Sequence, residues 1–336
     1  MAAVLGMSGI FCGTRANGTT QVPTWSREDL TFFLHGSMST EFIPESVLRA
    51  FFKTYPELFP TDDFSHLGAI PDPNFGWPVG FTRREVPHLG GLSSVGINCA
   101  ACHVGEITPA QGGANVRVLG MAAQFDVEAF FGSVLLATFE TADPAHMKKF
   151  LGAYLAVNDP QAGARGEKLF ESKWNEQASQ ITTVMTASPT ESVPGLRPID
   201  AKALRLDGAS LNSIDLAALA HAMLDLFHNL RFALHVPDTP PPAVPPNGPG
   251  RNDPWRLLAY SLLGVAVDPA PVKFGIIWNE DQREWVHYDA NTHSPMIRNL
   301  AASLGLGAPL IGHKAWLRFA DVKRHTALSE VIRPPK

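Results

Sequence analysis

Apolar residues recur at three- and four-residue spacing through several blocks of the chain, and these blocks predict helices. Ser26-Arg27-Glu28-Asp29 supplies an N-cap and an acidic first turn for a helix running toward Gly36. Pro44 opens a second helix whose Val47, Leu48, Phe51, Phe52 and Tyr55 share one face. Asp126 caps a strongly apolar helix through Val127, Phe130, Phe131, Val134 and Leu135, and Asp143-Pro144 starts another that buries Met147, Phe150, Leu151 and Tyr154. Ser213 begins a long helix reaching about Val236, Asp253-Pro254 caps a further one, and Ser294-Pro295 caps one that ends at Gly305 and Gly307.

Between these blocks the pattern breaks. Residues 56 to 97 are punctuated by prolines and glycines and read as loop, and the Ser/Thr/Pro-rich stretch 177 to 200 reads as exposed loop. Eight prolines fall between Pro237 and Pro254, the composition of an extended connector. Residues 274 to 289 allow a short hairpin in which Ile276–Trp278 faces Trp285–Tyr288. The pattern therefore predicts a mainly α chain with long ordered loops and little β-structure.

Composition narrows what such a chain can do. It has 336 residues, 45% hydrophobic and 18% charged, enough for a sizeable core and too apolar for disorder. Lys and Arg number 27 against 32 Asp and Glu, a formal charge of -5, which supplies no basic excess for a nucleic-acid partner. No run of 18 apolar residues predicts a membrane-spanning helix. Residues 1 to 22 start apolar and turn polar without a basic n-region, so they read as a flexible N-terminus or a signal remnant. Phe11 stands where a lipidated Cys12 would need a small residue before it.

The three cysteines are too few for a disulfide framework, but two lie three apart. Cys99-Ala100-Ala101-Cys102-His103 is a C-x-x-C-H sequence, the attachment pattern of c-type haem. Two thiols so spaced can add across the two vinyl groups of one porphyrin, and the adjacent imidazole falls beneath the iron as proximal ligand. Zinc would need further ligands beyond the distant Cys12, a redox dithiol would want a βαβ setting, and a plain disulfide stays open. One covalent haem c is the expected cofactor. Its attachment is completed outside the cytoplasm, so a periplasmic or secreted bacterial protein is expected. No ligand set for calcium is evident.

Several further segments, in order, resemble the bacterial di-haem cytochrome c peroxidase superfamily, in the branch that includes the rubber-cleaving haem dioxygenases. They are Pro71-Asp72-Pro73-Asn74 with Gly76-Trp77-Pro78-Val79-Gly80, then Gly96-Ile97-Asn98 before the motif, Gly250-Arg251-Asn252-Asp253, Ile277-Trp278-Asn279, Trp285 to Thr292, and Arg298-Asn299-Leu300 with Leu304-Gly305. The resemblance spans about residues 40 to 310. It implies a cytochrome c-like haem domain over 23 to 336 with helical insertions. It also implies an oxidoreductase that binds peroxide or dioxygen opposite His103, with a small redox protein or second haem domain as electron partner and peroxide, dioxygen or a small organic molecule as substrate. The family's second CxxCH is not repeated after His103, so a fragment or a one-haem variant is expected. Where the family places a tryptophan between two haems, Tyr288 stands here.

The same resemblance places the segment after Thr292 over the distal face. Arg298 and Asn299 would there stabilise charge as an O–O bond breaks, with Tyr288 as a relay. A salt bridge from Arg298 to a carboxylate such as Asp289 is the competing reading. His287 and Met296 are the candidate distal iron ligands. A monohaem electron carrier with six-coordinate iron is the alternative function. His221, His228 and His235, seven apart, read as a polar stripe on one helix, and Trp278 and Trp285 as core.

Overall fold

The structure, a computed structural model, describes residues 15–16, 19–110, 112–141, 143–158, 163–186, 197–205, 215–233, 247–253, 268, 270–287, 290, 292–308 and 317–335. Nine α-helices and several small antiparallel sheets are present among them, so the chain is mixed α/β. The expectation of a mainly α, cytochrome c-like fold with little β-structure is thereby corrected.

The helices are α1 (Arg27–His35), α2 (Glu45–Thr54), α3 (Cys99–His103), α4 (Val127–Glu140), α5 (Pro144–Asn158), α6 (Gly163–Thr186), α7 (Leu216–Ala233), α8 (Pro295–Gly305) and α9 (Phe319–Glu330). Most begin where local chemistry puts them. Ser26 forms a reciprocal capping box with Asp29, Asp126 accepts from the Ala129 amide, and Ser294 accepts from the Ile297 amide ahead of Pro295. Asp215 accepts from the Ala218 amide at the start of α7, while Ser213, the expected start, lies outside the described residues. The stretch from 177 to 186, expected as loop, continues α6, and α9 was carried by no sequence expectation. Among the described residues no helix is long and apolar enough to cross a membrane.

The largest correction falls on residues 56 to 97. Phe81–Val86 and Leu92–Ile97 form an antiparallel hairpin, and Ile43–Pro44 joins the outer side of the second strand, giving a three-stranded sheet. We label these β4, β5 and β3, after the short pair β1 (Arg15–Ala16) and β2 (Thr19–Thr20). The residues that read as breakers, Pro87, Gly90 and Gly91, are the turn itself; both glycines have φ near +70° (67° and 72°), which a side chain disfavours. Two more ribbons follow, β6 (Val104–Ile107) with β7 (Val116–Leu119), and β8 (Arg251–Asn252) with β9 (Val272–Lys273). The end of the proline-rich segment is thus a paired strand, while its first part lies outside the described residues. Among the described residues of 274 to 289 the expected hairpin is absent: Glu280–Gln282 is a 3-10 turn, and Val286 bridges instead to Thr292.

Two cores result. The larger packs α2, α4, α5, α6 and α7 around an aromatic cluster in which Phe130 meets the rings of Phe42, Phe64, Phe81, Phe125 and Phe131 at centroid distances of 5.0 to 6.0 Å. Tyr154 donates to the Leu204 carbonyl, and Tyr55 and Thr141 share a hydrogen bond of 2.7 Å, so the polar tips of these buried rings are satisfied. Trp77, from the segment that carries the resemblance, is buried on Phe64 and Phe81 and donates to Glu45. The smaller core, Phe33, Leu34, Val79, Ala100, Val104, Leu119, Ile277, Leu328 and Ile332 among others, joins α1, α3 and α9.

Candidate haem-binding site

β5 delivers the chain straight into the motif. Asn98 ends the strand, and its side-chain oxygen accepts from the Ala100 amide to cap α3. Its side-chain nitrogen donates to the carbonyls of Phe33 and Gly36, tying α3 to the end of α1. Gly80, at φ +84°, lies so close to Ala101 that a Cβ there would overlap the helix backbone. At the other end, the amides of Gly120 and Ala123 donate to the carbonyls of His103 and Cys102, closing the turn against β7.

On this short helix Cys99 and Cys102 are half-buried free thiols, so no disulfide joins them. Burial pushes both thiols up, Cys99 to about 11 and Cys102 to about 12, and holds them protonated. His103 Nδ1 donates to the Gly275 carbonyl at 2.9 Å, which leaves Nε2 as the acceptor-bearing nitrogen. Burial first, and then the Arg298 charge, press its pKa down to about 4, so the ring is neutral at ordinary pH.

These three side chains line one cavity of about 300 Å³. Phe274, Ile276, Ile277, Val286 and Leu306 make much of its wall apolar, with Met38, His287, Glu280, Arg298 and Asn299 among the other contributors. The 274–278 segment reaches the motif because the Ile277 amide donates to Gly120 O and Trp278 Nε1 to Leu119 O. On α8 the residues Arg298, Ala301, Ala302 and Gly305 fall on one face toward the cavity, three of them small enough to leave it open.

Arg298 is buried and bidentate to Glu280, with both N···O distances 2.7 Å. The expected salt bridge therefore exists, but to Glu280; Asp289 lies outside the described residues. Arg298 Nε has no partner among the described residues. Asn299 is buried, donates to Thr326 Oγ1 at 2.9 Å, and so fastens α8 to α9. Met296 does not line the cavity; Thr326 Oγ1 lies 3.6 Å from its sulfur instead. His287 does line it, in a turn with φ +80° held by the Val286–Thr292 bridge. Tyr288 and His235 lie outside the described residues. His221 pairs on the surface with Asp225 at 3.1 Å, and neither it nor His228 lines the cavity. Trp278 is half-buried, whereas Trp285, expected in the core, is 47% exposed and packs on His293.

Sequence reasoning passed over Gly275, Glu280 and Met38. Gly275 acts through a carbonyl, which no side-chain pattern reveals. Met38 is fully buried with its sulfur 3.2 Å from Cys99 Sγ, and only the fold brings the two together. Glu280 follows Ile277-Trp278-Asn279, and its proximity to Arg298, 18 residues on, has no local signature.

The donor set suits a covalently held porphyrin. Two reduced thiols and a neutral imidazole with one free nitrogen face a mostly apolar cavity, and a buried Nε–H on the same wall still needs an acceptor. Among the described residues no group of three or more His, Cys, Asp or Glu side chains is placed to hold a metal ion by itself.

No family model matches the chain, and no solved structure matches it. The chain is similar to the uncharacterized protein y4iJ of Sinorhizobium fredii, at 26% identity over 246 residues. That match covers 73% of this chain but 33% of the relative, so the chain spans about a third of the relative's length.

Proposed function

We propose that the chain is a c-type haem oxidoreductase that admits peroxide or dioxygen to the cavity opposite His103, as its resemblance to the di-haem peroxidase and rubber-oxygenase superfamily implies. The observation that carries the reading is His103: a neutral imidazole beside two free thiols, fixed by the Gly275 carbonyl so that Nε2 is left for iron. Haem c, when bound, supplies one-electron redox chemistry and an iron that can hold a small oxygen species.

The residues divide the remaining work. Cys99 and Cys102 would hold the haem, each by adding its S–H across a vinyl group. Gly275 sets the tautomer of His103. Glu280 neutralises Arg298 and leaves its Nε–H without a partner among the described residues, so Arg298 would present a directed donor into the cavity instead of a net positive charge. Asn299, tied to Thr326, keeps α8 in place, and Ala301, Ala302 and Gly305 keep the space beside it clear. With one CxxCH in the chain, fast two-electron turnover needs an outside electron store, either a second haem domain or a small redox protein. The attachment chemistry carries a periplasmic or secreted location with it.

Production in a bacterial host that ligates haem c tests this. The expected product gains the mass of one haem, gives a pyridine haemochrome with two thioether links, shows a high-spin ferric band and binds CO on reduction. Peroxidase turnover of the isolated chain is expected to be weak. A colourless product at bare polypeptide mass overturns the reading. The second reading, a six-coordinate electron carrier, is favoured by Met38, a buried thioether in the same cavity. A low-spin spectrum that becomes high-spin in Met38→Ala would select it.

A further inference from the structure

The cavity carries cations that no described residue neutralises. Lys273 on β9 and Arg283 both line it, both are exposed at its mouth, and neither stands in an ion pair among the described residues. Arg283 spends its Nη2 on the carbonyls of Ile276 and Trp278, so its charge faces no carboxylate. Glu280 is the one acidic residue on the cavity wall among the described residues, and Arg298 already claims both of its oxygens.

The β8–β9 pair adds an independent sign. Arg251 stands directly opposite Lys273 in the register, and it too lacks an ion-pair partner among the described residues. Like charges facing each other across two strands destabilise the pairing unless an anion lies near both. A two-residue ribbon has little else to offset that repulsion.

We propose that Lys273 and Arg283, supported by Arg251, form a carboxylate-binding rim that takes the two propionates of the porphyrin. The proposal rests on the haem reading above. The thiols on α3 fix the vinyl edge, so the ring's two carboxylates lie across the macrocycle, and this rim is the place on the cavity wall with matching, uncommitted charge. A free dicarboxylate has the same chemistry and is the rival occupant.

The test uses the haem-loaded wild type and the Lys273→Gln/Arg283→Gln double variant, with attachment checked by mass and pyridine haemochrome. Loss of two cations near the ring favours the ferric state, so the ferrous-to-ferric ratio at fixed potential should fall about tenfold, a midpoint shift of 59 mV for one electron. The single Lys273→Arg variant, which keeps both charges, should hold the wild-type potential, which a merely structural lysine does not require. Equal potentials in wild type and double variant overturn the proposal while haem attachment stands. Succinate added to loaded wild type should leave the potential unchanged; a succinate-dependent shift that the double variant abolishes would assign the rim to a free carboxylate instead. A wild type without haem overturns the haem reading itself and the proposal with it.

Discussion

The aromatic core and the motif side of the molecule solve the same folding problem differently. Around Phe130, rings fill the space between α2, α4 and the β3–β5–β4 sheet, and the hydroxyls of Tyr55 and Tyr154 both find partners. Around α3, a smaller core leaves a cavity, two free thiols and an Arg298 Nε that has no partner among the described residues. Buried polar groups are ordinarily hydrogen-bonded, so an unmet Nε–H on a cavity wall is the kind of group that a bound molecule would satisfy. The contrast predicts that the aromatic core is stable by itself, whereas the motif side gains stability when its cavity is filled.

Breaking either side should make that difference measurable. Phe130→Ala removes a ring in contact with five others and is expected to destabilise by about 3–5 kcal/mol. The loss should be equal in haem-free and haem-loaded protein, read by chemical denaturation. Glu280→Ala leaves the buried Arg298 charge without its partner and should cost about 3 kcal/mol in the haem-free chain. Here the loss should shrink on haem loading, because the covalent group fills the same cavity; an equal loss in both forms would dissolve the contrast between the two regions.

A smaller effect should appear in acid. Burial presses the His325 pKa down to about 4, while the unfolded chain titrates near the ordinary histidine value of 6.5. Between those values the unfolded state binds the extra proton, so stability is full above about pH 6.5 and falls as the pH drops toward 4. His325 sits between Phe32 and Phe33, with Nε2 donating to the Gly36 carbonyl. His325→Phe should flatten the acid limb of a melting-temperature profile between pH 6.5 and 4, at the expense of one hydrogen bond at neutral pH. An unchanged acid limb would mean that His103, whose pKa is lowered in the same way, dominates it.

Legibility in the sequence followed the range of the interactions. The caps at Ser26, Asp126 and Ser294 act within one helical turn, and the helices begin where those residues stand. The face of α2 and the buried positions of α5 were equally readable from spacing. Residues 81 to 97 were misread because a hairpin turn and a loop use the same prolines and glycines. Only pairing with a partner strand, here Ile43–Pro44 on β5, distinguishes them. Trp285 was misplaced because aromatic composition signals burial only on average, and here the ring lies exposed against His293.

By itself the sequence determined the three chemical groups at Cys99, Cys102 and His103 and their order along one helical turn, because that spacing is covalent. It also determined where the capped helices α1, α4 and α8 begin, since capping is local, but not the helix over 177 to 186 or α9. The tertiary structure alone decided that the Gly275 carbonyl orients His103, that Arg298 is matched by Glu280, and that Met38 rather than Met296 enters the cavity. Each of those depends on residues 18 or more positions apart being brought within hydrogen-bond or contact distance, and chain periodicity carries no information about which distant partner will arrive.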